Sequence, residues 1–551
     1  MAMVEFNPHY CPLQKKGTRK FQVNPAYIVN DSQFSDYLSR PVKLKTLTVK
    51  SIAKIFERNP SFFHQEAASL PRDLRQEIFN VIERRSNYKP SKNSSQDVFQ
   101  AWQTFFCSDK LVLREFLGSH WSRQVFLHLV TSDTLHPDIR QLVLQSNEVN
   151  QERLCFLFEL ADCSWKPQLR TLLARLPQLT SVSLHDFCDD DTLVILGQGC
   201  PHLASLAISL GPESFSEQQL SDEGFSELLE LQLGRATLRE VDLGSCYSST
   251  LTAKTLLSLS RVPGLETLHV MWDHFKWMDL SLRFLGADFR PSQSIRTLSI
   301  KFGFDNYENS TFFDISNGGI NFIQRVFPEI QDFRVLNFSE LGSQQEIDNL
   351  KSIFGDRIRV AHVKKCRDLT LVNQMFSQSR SLSIDIYMNP KLEAGVTFAN
   401  LHDLSVTKEM FAIEFQLVHD LLQACTAIRR FRVEAASLHD YDEPKFVSLF
   451  NNTAHLNKLE HFHLCFRSSC KISFTFLTCL LDTCPGLEHV GSLVTWSVST
   501  SDVSSVGRRW GKVAMFATRS HWSLPWRCED GSLVEVTGQH PAHSGDLFDN
   551  F

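Results

Sequence analysis

The chain contains no run approaching the ~20 apolar residues that a membrane helix needs. Its first 25 residues lack the charged-then-apolar order of a secretory signal. Both absences point to the cytoplasm and/or nucleus, with no membrane partner. Positive charge is not in excess either: 56 Lys and Arg stand against 62 Asp and Glu, a formal net charge of −6. That balance gives no electrostatic case for binding nucleic acid. The short basic run Lys15, Lys16, Arg19 and Lys20 reads as a solvated tail or as an import signal. The 14 cysteines form no compact framework and show no zinc-finger spacing, so they read as reduced, buried thiols. A Gly-rich phosphate loop, a Gly-x-Ser-x-Gly elbow and a His-Glu-x-x-His pair are all missing. No catalytic residue and no cofactor is therefore expected, and the chain is not read as an enzyme.

What the chain does have is a folded composition, 42% hydrophobic and rich in core-forming Phe (43 residues), and a signature that keeps returning. The signature is apolar-x-x-apolar-x-apolar, recurring about every 24–35 residues. It reads Leu179-Val182-Leu184, Leu203-Leu206-Ile208, Leu238-Val241-Leu243, Leu265-Leu268-Val270, Ile295-Leu298-Ile300 and Ile330-Phe333-Val335. It resumes as Leu401-Leu404-Val406, Ile428-Phe431-Val433 and Leu459-Phe462-Leu464, and decays to Leu487-Val490. Ile139-Leu142-Leu144 is a candidate first unit. Between 340 and 395 the pattern is weakest, with Ser381–Ile386 only a partial copy.

The last two apolar positions of each triplet are two apart, which puts both side chains on one face of a strand. Several spacers carry helical patterns, such as Phe225-Leu228-Leu229 and Phe446-Leu449-Phe450. Each unit thus reads as helix, turn and short strand. One unit cannot bury its own apolar stripe, but stacked units can, with their strands parallel along a concave wall. Stretches such as Leu176–Leu184 and Gly199–Ile208 resemble the leucine-rich repeat family in its cysteine-containing form. The resemblance implies an α/β solenoid over 135–495, with parallel strands on the concave face and helices on the convex face. Residues 1–40 read as an N-terminal tail and 496–551 as an irregular C-terminal tail.

Strand alternation names the residues expected to face outward on the wall. They include Glu240, Asp242, His269, Arg334, Arg430, Arg432, His461 and His463. The wall reads as acidic early and basic or His-rich late, and as the place where a target protein would bind. His461, His463 and Cys465 alternate along one strand, so all three could ligate an ion. No fourth ligand is apparent, and no metal site is expected.

Residues 41–130 read as a helical segment outside the repeat. Leu44, Leu47, Ser51 and Ile55 share a helix face. Thr46–Ile55 resembles the BC-box of VHL- and SOCS-box proteins, with Ser51 where Cys is usual. The resemblance implies docking of an elongin C-type adaptor through that face. About fifteen residues on, Leu70-Pro71-Arg72-Asp73-Leu74 is similar to the cullin-box core Leu-Pro-x-x-Leu, continued on the same face by Ile78. The same residues also resemble the opening of an F-box, which docks a different adaptor. Together with the repeats, these motifs imply a substrate receptor of a cullin-RING ubiquitin ligase, in which Leu70, Pro71, Leu74 and Ile78 approach the cullin. The alternative is a repeat scaffold or inhibitor whose first helices only cap the solenoid.

Overall fold

A computed structural model describes residues 49, 51–53, 70–88, 106, 109–113, 120–131, 139–144, 165–210, 220–246, 251–271, 289–301, 317–339, 348, 351, 354–468, 470–491, 493–498, 502, 514–516, 526–527 and 533–534. Helix α1 (Arg72–Tyr88) comes first, then β1 (Lys110–Leu113), α2 (His120–Thr131), β2 (Gln141–Leu144) and α3 (Trp165–Ala174). The repeats continue through β3 (Ser181–His185), α4 (Asp190–Gly199), β4 (Ser205–Leu210), α5 (Asp222–Leu233), β5 (Glu240–Cys246), α6 (Ala253–Ser260), β6 (Thr267–Met271) and β7 (Thr297–Lys301). Next are α7 (Asn317–Val326), β8 (Asp332–Ser339), β9 (Ile358–Asp368), α8 (Leu369–Met375), β10 (Ser381–Lys391) and β11 (Asp403–Glu414). The solenoid closes with α9 (Phe415–Ala424), β12 (Arg430–His439), α10 (Glu443–Asn452), β13 (His461–Phe466), α11 (Phe474–Thr483), β14 (His489–Gly491) and β15 (Ala514–Phe516).

Strands β1 to β15 form one 15-stranded sheet in sequence order, and every neighbouring pair is parallel. This is the leucine-rich repeat solenoid the triplets imply. The triplet residues are the core: all of those from Leu179 to Leu464 named above are buried.

Two devices recur from unit to unit. At most strand entries, two successive backbone amides donate to one carbonyl of the preceding unit. Arg239 and Glu240 share Ala204 O at 2.7 and 3.0 Å, and Glu460 and His461 share Arg429 O at 2.8 and 3.0 Å. The second device lies at the helix ends. Cys200, Cys425 and Cys484 are C-caps whose amides donate back to Leu196, Leu421 and Leu480. The thiols of Cys200 and Cys484 also point at carbonyls of the preceding unit, Leu176 O and Leu456 O. A small side chain with a weak donor suits this tight corner. Burial pushes the thiols of Cys200 and Cys484 up to about 12, so they are unreactive packing groups. Among the described residues the cysteines form no disulfide.

The helices start where oxygen-bearing residues cap them. Asp189 accepts from Thr192 N at 2.9 Å, and Ser221, Thr252, Asp442 and Ser473 serve later helices. An acid in the first turn of one helix also reaches the cap of the next. Asp190 accepts from Ser221 N and Oγ at 2.8 and 2.6 Å, Asp222 from Thr252 and Thr255, and Glu443 from Ser473.

The structure moves two boundaries. The sheet begins at β1, inside the segment read as purely helical, and gains β15 inside the segment read as an irregular tail. It also fills the weak stretch between 340 and 395 with the long strands β9 and β10. Helix α1 belongs to the same core. Ile78 is 0% exposed, and Phe79 and Ile82 are buried beside it, with Phe79 edge-on to Phe106 at 5.4 Å. The expectation that Ile78 faces a cullin is therefore corrected: it anchors α1 to the solenoid. Arg175, after α3, donates to the last-turn carbonyls Leu129 O and Val130 O of α2, tying the N-terminal helices to the first repeats.

Candidate binding wall

On the face opposite the helices, pairing lines up the outward residues in rows. One row runs Ser205, Glu240, Thr267, Thr297, Asp332. The next runs Asp242, His269, Ser299, Arg334. At β8–β9 the register shifts, and Arg334 aligns with Val360, then with Ser381, Asp403, Arg430, His461 and His489. The second row of the early repeats therefore continues as the first row of the late ones.

The early wall carries the acids Glu240 and Asp242 in adjacent rows. Glu240 is exposed, accepts from Ser205 Oγ at 3.2 Å and lies 3.9 Å from His269 Nε2. Asp242 turns inward along its strand to accept from Gly244 N at 2.8 Å. Arg334 is not an exposed contact residue. It is 5% exposed and held by Asp332 at 2.7 Å, so its expected outward role is corrected: it is a buried ion pair beneath the wall surface. Leaving that charge unpaired in this position would be costly, which explains why Asp332 stands beside it.

The late wall, read as basic or His-rich, brings His461 and His489 together in one row. Arg430 lies 3.6 Å from Asp403, and Arg432 donates to Glu434 at 2.8 Å, so acids offset both guanidinium charges. The histidines are neutral as well. Burial, the neighbouring His489 and Arg430 push His461 down to about 3. Burial, His461, Arg432 and His489 do the same to His463. Burial lowers His489 too, against the pull of Glu488. A histidine whose folded pKa lies below its unfolded value of about 6.5 resists protonation in the fold, so acid below that value works against the folded wall.

Beside the expected residues the structure places two that sequence reasoning missed. His489 is the register partner of His461, and their rings lie 4.3 Å apart. Glu488 brings a carboxylate to the same place: the donor atoms of His461, Glu488 and His489 all lie within 4.8 Å of one another. The sequence set of His461, His463 and Cys465 is not the set brought together. Cys465 is buried, and the His463 ring is 6.4 Å from that of His461. The usable signal was the Glu-His pair just before Val490 in the decayed repeat, which pairing places beside His461.

At the other end of the chain, Val49, Ser51, Ile52 and Ala53 are helical. Val49 and Ala53 are 3% and 0% exposed, whereas Ser51 is exposed. Leu44, Leu47 and Ile55 lie outside the described residues. Pro71 is exposed, and Leu70 and Leu74 are half-buried against the core edge. Among the described residues no helix is long and apolar enough to cross a membrane.

No family model matches this chain, and no curated protein does. Solved structures do match. One is an internalin from Listeria monocytogenes, 12% identical, covering 80% of this chain and 87% of that chain with a TM-score of 0.22.

Proposed function

We propose that this chain is the substrate-recognition subunit of a cullin-RING ubiquitin ligase, docking an elongin C-type adaptor through its N-terminal helix and a target protein through the wall. The observation that carries this reading is the exposure of Ser51 between buried Val49 and Ala53. At about 100° per residue, Ser51 lies opposite the Val49–Ala53 face. The helix thus keeps one face for the solenoid and turns the face of the BC-box-like Ser51 outward. The sequence spacing of the BC-box-like motif groups Leu47 and Ile55 with Ser51; both lie outside the described residues. Pro71 with the half-buried Leu70 and Leu74 offers a second exposed edge to the cullin. Bond-making then belongs to the partners. This chain supplies proximity, raising the effective concentration of target lysines near the charged ubiquitin carrier.

A second reading is favoured by the burial of Ile78, Phe79 and Ile82. In it α1 is only the polar-faced cap that a solenoid requires, and the protein is a scaffold or inhibitor with no ligase link.

Affinity purification of the tagged chain from cells separates the two. Wild type is expected to recover elongin C and a cullin, and the double variant Leu47→Asp, Leu74→Asp to lose both by about tenfold or more, as hot-spot residues do. Recovery of neither by a folded wild-type chain leaves the scaffold. Recovery of an F-box adaptor instead keeps the receptor role and changes the complex.

A further inference from the structure

We propose that the C-terminal end of the wall is a binding site for a divalent first-row transition ion, zinc foremost, held by His461, His489 and Glu488. The backbone organises the set. His461 and His489 are paired on adjacent parallel strands, β13 and β14, which sit one strand spacing, about 4.8 Å, apart. The amides of Glu488 and His489 both donate to Glu460 O, at 2.7 and 3.1 Å, so the carboxylate residue is fixed at the strand entry beside the two imidazoles. The three donor atoms already lie within 4.8 Å of one another. Zinc bonds of about 2.0–2.2 Å in tetrahedral array require donors roughly 3.3–3.5 Å apart. Side-chain rotation of about an ångström, without backbone movement, meets that requirement.

The donor chemistry is equally specific. Two imidazole nitrogens and one carboxylate oxygen suit zinc and its neighbours, and match magnesium or calcium poorly. Three protein ligands leave one position for water or for a side chain arriving from outside. Glu488 is exposed, so a bound ion can be reached from outside and serve as a contact point for a partner. Arg430, in the neighbouring strand, opposes a cation, and Asp403 at 3.6 Å offsets its charge.

The test uses the full chain, stripped with a chelator and titrated with cobalt(II), whose visible absorption reports nitrogen–oxygen coordination. One equivalent is expected to bind and to be displaced by zinc. His461→Gln and His489→Gln should each weaken binding by about tenfold or more, the scale on which disturbed ligand shells act. His269→Gln, a wall histidine far from the set, should not. Glu488 is exposed, so Glu488→Gln leaves the fold least disturbed and should also weaken binding. No cobalt binding by the folded wild type would overturn the proposal. Equal binding by wild type and all three ligand variants would place the ion elsewhere and overturn it too.

Discussion

Replacing Phe446 with alanine is expected to cost about 3–5 kcal/mol, the range for removing a buried aromatic ring, and to melt the last repeats ahead of the others. Phe446 is fully buried in α10. Its ring stacks on Phe476 of α11, with centroids 4.5 Å apart and planes 3° from parallel. It also meets Phe415 of α9 edge-on at 5.2 Å and Phe450 at 5.5 Å. One side chain therefore links three successive repeats. Phe462 and Trp496 extend the aromatic cluster from the strand side and the far end. Trp496 is itself held by a hydrogen bond from Nε1 to Leu464 O at 3.0 Å. A solenoid is stabilised by nearest-neighbour contacts, so the damage should stay local. Hydrogen exchange followed by mass spectrometry should show protection lost over 415–498 and retained over 181–300. Uniform loss along the chain would speak against a nearest-neighbour solenoid.

The second large effect belongs to Asp222. Its carboxylate accepts from Thr252 N at 2.8 Å, Thr252 Oγ1 at 2.5 Å and Thr255 Oγ1 at 2.6 Å. It joins the start of α5 to the start of α6. Asp222→Ala deletes the acceptor and leaves a helix cap unsatisfied, a loss of about 2–3 kcal/mol for hydrogen bonds to a charged group. Burial alone would raise the pKa of this carboxyl, but the hydrogen bonds from Thr252 and Thr255 outweigh burial and hold it below the usual range. The sign follows. The contribution is complete above the unfolded carboxyl pKa of about 3.9 and is lost as pH falls through the lower folded value. Denaturant unfolding at neutral pH should separate wild type from Asp222→Ala clearly, and the gap should narrow as pH falls below the unfolded carboxyl value of about 3.9. A gap of the same size in acid would mean that Asp222 acts through packing and not through its charge.

How much of this architecture the sequence discloses depends on how each position is used. The triplets from Leu179 to Leu464 are legible because both strand residues and the bend residue are large and apolar. Strand β9 escapes notice because its triplet, Ile358-Ala361-Val363, has a methyl side chain at the middle position, although Ala361 pairs with core residues Val335 and Leu382. Strands β1 and β15 escape notice because the sequence has no apolar residue three positions before the first strand residue of the signature, with Ser at 108 and Lys at 512. Both lie at the ends of the sheet, with one neighbouring strand each among the described residues.

The wall was legible in part. Alternation identifies His461 and His463 as a strand-face pair, but cannot align His489 with them, because that alignment is a matter of register between repeats. Alternation likewise cannot tell that Arg334 is buried, since burial and its ion pair with Asp332 are set by tertiary contacts. For Ile78 the period gives a face and not what lies against it. Leu74 and Ile78 share that face, yet the first stays half-exposed at the rim while the second is sealed.

Titration of the purified full chain with purified elongin C-type adaptor, comparing wild type with Ser51→Arg, tests the receptor role most directly. Ser51 is exposed, so a long charged side chain there leaves the solenoid intact and obstructs only what docks on that face. Saturable binding by wild type that disappears in Ser51→Arg is the predicted result. A folded wild-type chain that fails to bind, or a variant that binds as well as wild type, would contradict the account.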